Sequence, residues 1–210
     1  MICAETFGVS KLKTQRVINI KLIKRQILKE SNMAEFHSVN IKGRDVKLPI
    51  LQISNDIKIA FFNLHGAQEL TEHCASELAK IVKGSDVIIT AESKGLQLAH
   101  CVARDLGHEF YAVARKAQKL YMQDGINCTV KSITTKALQT LYLSKHDTEL
   151  LRGKKVAIID DVISTGGSLQ GLEVLVNKAG GEITKKAFVL AEGEAAKRKD
   201  VEFLAKIPLL

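Results

Sequence analysis

Two hundred and ten residues, 46% of them apolar, suit a single domain with a sizeable core and exclude a disordered chain. The net charge of +8 invites a nucleic-acid reading, but residues 1–32 hold seven basic side chains (Lys11, Lys13, Arg16, Lys21, Lys24, Arg25, Lys29) against Glu5 and Glu30, which leaves the remainder only mildly basic. Four scattered cysteines, Cys3, Cys74, Cys101 and Cys128, with no Cys-x-x-Cys pair, read as reduced thiols, and the apolar residues between Val17 and Leu28 are broken by Lys21, Lys24 and Arg25, which excludes a secretory signal or a membrane span. A cytoplasmic location is expected.

Within the basic segment, Val17, Ile20, Ile27 and Leu28 share a helix face. With no aromatic residue beyond Phe7 between its charges, it reads as a solvated extension rather than a nucleic-acid arm. Between residues 48 and 64 two apolar runs flank Ser54, Asn55 and Asp56, the pattern of a hairpin. Leu70, Cys74, Leu78 and Ile81 then fall at helical spacing within residues 67–83, and Gly84 stops that helix. Residues 86–90 form an apolar run that predicts a buried strand. The short loop Ala91, Glu92, Ser93, Lys94, Gly95 leaves it and opens a helix over 96–106 that ends at Gly107. A further buried strand is predicted over 110–114, with Arg115, Lys116 and Lys119 at its carboxyl end, three cations in one place. Residues 117–140 lack a long apolar pattern, although 130–133 and 138–143 suit two short paired strands, and a loop of this length usually has a function.

Residues 156–168 carry the strongest signal. Val156, Ala157, Ile158 and Ile159 make the unbroken apolar run of a parallel strand buried on both faces, and Asp160 and Asp161 follow at its carboxyl end. Ser164, Thr165, Gly166, Gly167 and Ser168 then lead into a helix beginning near Leu169, so backbone amides and a helix amino terminus converge on one spot as an anion cradle. No Lys follows the last glycine as in a Walker loop, and the spacing of a dinucleotide fingerprint is missing, so neither a nucleoside triphosphate nor NAD is indicated. A plain strand, turn and helix, with Asp161 in the turn and Ser168 as N-cap, leaves Asp160 and the double glycine unexplained. Carboxylates beside an anion cradle make sense if one ligand brings both hydroxyls and a phosphate, as a phosphorylated sugar does. Further on, a helix over 169–179 ends at Gly180 and Gly181, a strand covers 183–190 with Glu192 just beyond its end, and a last strand covers 201–207.

Residues 156–168 resemble the thirteen-residue motif of the type I phosphoribosyltransferases, an apolar strand, two acidic residues and a Thr-Gly loop that binds phosphoribosyl pyrophosphate. The resemblance implies that Asp160 and Asp161 hold the ribose hydroxyls while Ser164 to Ser168 wrap the 5-phosphate. The Glu92, Ser93, Lys94, Gly95 loop is similar to the Glu-x-Arg/Lys-Gly loop of adenine phosphoribosyltransferases, which binds pyrophosphate, often through a strained non-proline peptide after the Glu. Arg115, Lys116 and Lys119 would then stabilise the departing pyrophosphate, Arg115 as a catalytic group, and residues 117–140 would form a hood that excludes water.

Ala114, Arg115 and Lys116 together with Ser132 to Lys136 also resemble the xanthine enzymes. Relatives that bind 6-oxopurines place a Lys where this chain has Glu192, and a carboxylate there favours an exocyclic amine, hence adenine. Against adenine, this hood has no carboxylate after Asp124, whereas adenine relatives carry a Glu there.

The resemblance covers residues 33–210, with residues 1–32 as an appendage. It implies a doubly wound α/β fold with a mainly parallel sheet and a small hood, and a purine salvage enzyme acting on phosphoribosyl pyrophosphate and adenine with Mg2+ carried by the substrate, as a homodimer without nucleic-acid or membrane partners. The alternatives are a xanthine or other 6-oxopurine enzyme, and a purine repressor-like regulator that senses phosphoribosyl pyrophosphate.

Overall fold

The computed structural model describes residues 35–54, 57–131 and 138–210, and within these His37–Leu210 forms one compact unit. The helical face in the basic extension, the turn residues Asn55 and Asp56, and the hood segment from Ser132 to Lys136 lie outside the described residues. Strands β1 (Phe36–Ile41), β2 (Arg44–Ser54) and β3 (Ile57–Ala60) form a three-stranded sheet, of which β2 and β3 are the expected hairpin. β1 was not legible. Its turn is marked by Asn40, whose side-chain oxygen accepts the Gly43 amide, with Lys42 and Gly43 both at positive φ.

The central sheet has five strands in the order β10-β9-β8-β4-β5, and every pairing in it is parallel. Its members are β4 (Val87–Ala91), β5 (Ala112–Ala114), β8 (Lys155–Ile163), β9 (Glu182–Glu192) and β10 (Glu202–Ile207). Helices α1 (Gln68–Ile81) and α2 (Leu96–Leu106) follow the apolar spacing read from the sequence, and α2 ends at Gly107 in the left-handed conformation.

Alternation along the strands builds two cores. Ile88, Ala157 and Ile159 join α1, α2 and the hairpin residues Leu48 and Phe62 on one face, while Ile89, Val156 and Ile158 join Leu172 and Leu175 of α4 (Gly167–Ala179) on the other. Helices on both faces of a parallel sheet make the doubly wound fold.

Some strands differ from their expected bounds. β8 does not stop before the acidic pair but runs through it, because its ladder with β9 continues to Val162↔Leu190 and Ile163↔Ala191. β5 is only three residues, and Phe110 falls outside it, its ring edge-on to His146 at 5.4 Å. Strands β6 (Ile126–Lys131) and β7 (Leu138–Leu143) pair antiparallel as a second hairpin, starting earlier than the apolar pattern suggested.

Helix α3 (Lys145–Leu151), seven residues long, escaped the pattern reading. Ser144 caps it by accepting the Asp147 amide, and Asp147 Oδ1 accepts the Val113 amide at 3.3 Å, which ties the helix to edge strand β5. Replacing Asp147 by Ala should therefore cost about 1–3 kcal/mol, since it leaves a half-buried donor unpaired. Urea unfolding is expected to show a lower midpoint at unchanged slope, while Glu149→Ala on the exposed side of the same helix stays near the parent.

Candidate active site

The site lies where two neighbouring strands part. β4 pairs with β8 only as far as Ile89↔Ile158, after which β4 keeps β5 (Thr90↔Val113, Ala91↔Ala114) and β8 keeps β9. The chain leaves β4 for β5 on one side and later returns as β8 on the other, so the winding reverses between β4 and β8. Open parallel sheets bind ligands in the crevice at such a point. Asp160 and Asp161 occupy its β8 side, and the loop of residues 92–95 its β4 side.

Adjacent residues of a strand point to opposite faces, and the surroundings of the two carboxylates differ accordingly. Asp161 is 4% exposed and meets the Lys94 ammonium at 2.6 Å, with Lys94 also 5.9 Å from the centre of the Phe61 ring. Asp160 instead lines a cavity of about 130 Å3 together with residues 162–169 and Phe188. Its Oδ1 accepts the Asp161 amide at 2.9 Å. Burial, and after it the charge of Asp161, pushes the Asp160 carboxyl above the usual carboxylate range.

Gly95 closes the crevice. A Cβ on it would sit 2.2 Å from Thr90 Oγ1 and 2.7 Å from Asp160 Oδ1, so glycine alone lets the β4 loop approach this closely. Thr90 is fully buried. The Glu92–Ser93 peptide is cis, the non-proline peptide that the loop's resemblance led us to expect.

The cradle forms as the sequence suggested, with one change of cap. Gly166, at φ 81°, is the N-cap, and the helix starts at Gly167, so Ser168 lies in the first turn. Gln170 is the first residue whose amide bonds back, to Gly166 O at 2.9 Å, which leaves the amides of Gly167, Ser168 and Leu169 without helical acceptors. Together with the side chains of Ser164, Thr165 and Ser168 they suit a phosphate.

Glu92 organises the cationic side. One carboxylate oxygen meets Arg115 Nε at 2.5 Å and the other accepts the Lys116 amide at 2.6 Å. Arg115 exchanges both backbone hydrogen bonds with Tyr142, which hooks the β6–β7 hairpin to the edge of the site. Arg115 and Lys116 thus join the loop containing Lys94 and Gly95. Lys119 is exposed, in a turn closed by the Met122 amide on its carbonyl, and its ammonium bonds to none of these groups. Glu192 ends β9 opposite Ile207, followed by Gly193, whose Cβ position would be 3.3 Å from Leu209 Cβ. Leu209 also bridges Ile59 of β3, so the first hairpin stands over this end of the sheet. Sequence reasoning missed Thr90, whose only signal was its place as the last residue of an apolar run.

The raised Asp160 pKa predicts a stability effect of definite sign. The folded state holds its proton above the unfolded carboxylate range, so that stability is present at low pH and is lost as pH rises through the raised folded value. Asp160→Asn, which retains an oxygen for the Asp161 amide, should therefore raise the melting temperature near pH 8. Calorimetry should find the gap narrowing toward pH 5, and a variant less stable than the parent at pH 8 would contradict this account.

Residues 63–207 match the phosphoribosyl transferase domain. The chain is 32% identical over 137 residues, 64% of its length and 77% of the relative's, to an adenine phosphoribosyltransferase of a Thermotoga species. It is 31% identical over 157 residues, 73% of its length and 80% of the relative's, to the xanthine phosphoribosyltransferase of Bifidobacterium adolescentis. Among solved structures it resembles adenine phosphoribosyltransferase from Thermoanaerobacter pseudethanolicus, with a TM-score of 0.62, 19% identity, and coverage of 77% of this chain and 94% of that one. That likeness bears on the fold, and the family match accounts for the thirteen-residue motif, the parallel sheet and the paired anion loops together: the chain belongs to the phosphoribosyltransferase family.

Proposed function

We propose that the protein transfers the phosphoribosyl group of phosphoribosyl pyrophosphate to adenine, giving AMP and pyrophosphate. The observation that carries this reading is the meeting of two anion loops at the β4/β8 crevice with Asp160 between them. One loop suits the 5-phosphate, the other the pyrophosphate, and their separation is spanned by carboxylates able to accept from the ribose hydroxyls.

In this reading Asp160 and Asp161 orient the sugar, and residues 164–168 hold its 5-phosphate. Lys94, Arg115 and Lys116 face the leaving group. Charge grows on the pyrophosphate as its bond to the sugar breaks, so cations at that end stabilise the transition state more than the ground state. The hairpin β6–β7, hooked at Arg115, supports the segment that excludes water.

Among the described residues no three His, Cys, Asp or Glu side chains converge as a metal cage. Asp161 is already engaged by Lys94. In this reading Mg2+ is carried to the site on the pyrophosphate and would neutralise charge there. The reading also implies a cytoplasmic homodimer whose activity resides in residues 33–210. A chain beginning at Met33 should keep its turnover, and loss of turnover with folding intact would move residues 1–32 into the site or the subunit interface.

Adenine is supported by the Thermotoga relative and by Glu192, whose carboxylate accepts from an exocyclic amine but would face the carbonyl of hypoxanthine, guanine or xanthine acceptor to acceptor. The Bifidobacterium relative favours xanthine as the second reading, and it aligns over the greater share of this chain. Pyrophosphate release should be measured with phosphoribosyl pyrophosphate, Mg2+ and each purine in turn. Adenine is expected to be used best, and Glu192→Lys should lower its turnover while raising that of hypoxanthine. Preference of the parent enzyme for xanthine would overturn the assignment. Asp160→Asn, the variant expected to stabilise the fold, should lose at least about tenfold in turnover, as charge-assisted bonds to the ribose are lost.

A further inference from the structure

The 5-phosphate loop contains no cation of its own, and Lys94 and Arg115 are already paired with Asp161 and Glu92. A cationic side chain that comes up against this loop is Arg198, at the end of the short 3-10 helix Gly193–Lys197 that follows β9. Its Nη1 lies 2.8 Å from where a Cβ on Gly166 would be. Gly166 therefore has two reasons to lack a side chain: its φ of 81° and the guanidinium beside it.

That guanidinium is fixed rather than free. Nε and Nη2 form a fork on Asp200, at 2.9 and 2.7 Å, which sets the plane of the group and turns Nη1 toward the loop. Asp200 is also bound by Lys186 at 2.8 Å, and Lys186 in turn by Glu173 on α4 at 2.9 Å. The helix that begins at the loop thus holds, through three ion pairs, the residue that faces the loop. Arg198 first, then Lys186, keeps the Asp200 carboxyl well below the usual range, so the fork stays charged across physiological pH. The four charges sum to zero. What the network offers the loop is a positioned donor, not surplus charge.

We infer that Arg198 is a further phosphate-binding residue, donating from Nη1 to the sugar 5-phosphate at the mouth of the 164–168 loop, with Asp200 as its positioning residue. This rests on the phosphoribosyltransferase reading of the loop. The step adds a charge-assisted hydrogen bond to a dianion otherwise held by amides and hydroxyls, and makes the segment after β9 part of the sugar site.

Titration calorimetry on the full chain with ribose 5-phosphate and, separately, with pyrophosphate tests it. Arg198→Ala should weaken ribose 5-phosphate binding by about tenfold or more while pyrophosphate affinity holds, because pyrophosphate depends on the other loop. Asp200→Asn should give a smaller loss with the same selectivity, and carries the test by itself if Arg198→Ala does not fold. Arg198→Lys should not restore affinity, since an ammonium cannot hold Asp200 by a fork and reach the loop together. Unchanged ribose 5-phosphate affinity in both variants, or an equal loss for both ligands, would overturn the role of Arg198 and leave the function standing. If the parent protein binds neither ligand, the reading of the loop falls as well.

Discussion

The backbone at Gly95 passes so near Thr90 and Asp160 that a methyl group would overlap the Thr90 hydroxyl, and the two anion loops meet only because this approach is open. Close approach also explains the character of Asp160. A carboxylate pressed against a backbone turn loses much of its water, and the neighbouring Asp161 adds repulsion, so its charged form is disfavoured. A ligand offering hydroxyl donors would offset the lost hydration. The parting of β4 and β8 provides the crevice, but Gly95 determines how narrow it is.

Three cations close to the site are paired with carboxylates: Lys94 with Asp161, Arg115 with Glu92, and Arg198 with Asp200. Uncompensated charge in a crevice of low polarity is costly, and pairing avoids that cost without a ligand. In the proposed function binding would be an exchange of partners rather than an addition of charge: a phosphate would compete with Asp161 for Lys94 and leave that carboxylate to the sugar. The Arg198 fork behaves differently, because Asp200 occupies two of its nitrogens and leaves the third toward the loop, so a phosphate adds a partner there without removing one.

Much of this was legible in the chain because local rules and the global fold agree. The unbroken apolar runs of β4 and β8 marked strands buried on both faces, the small residues 164–168 marked the cradle, and Gly107 and Gly180 marked helix ends. What escaped depends on contacts distant in sequence. That β8 continues through its acidic pair follows from a ladder with residues 188–191, and α3 is too short for helical periodicity to declare itself. Arg198 looked like one charge among several in a polar stretch, and only the fold brings it to Gly166, 32 positions away. Glu92 was read as part of an anion loop, and only the fold shows its carboxylate pairing with the Arg115 guanidinium and accepting the Lys116 backbone amide.

The strand order also has a meaning for how the molecule comes to be. β4 is buried along its whole length, yet one of its two edges waits for β8, whose pairing residues begin at Val156. During synthesis from the amino terminus, an apolar strand edge must remain unsatisfied while more than sixty further residues emerge. Pairings so far apart in sequence form slowly, because loop closure precedes any gain from contact. The crevice cannot exist before that closure, since both of its walls are strands joined in this pairing. A ligand spanning the two loops would then act as a clasp on the nascent sheet, favouring the completed chain over every partly assembled form.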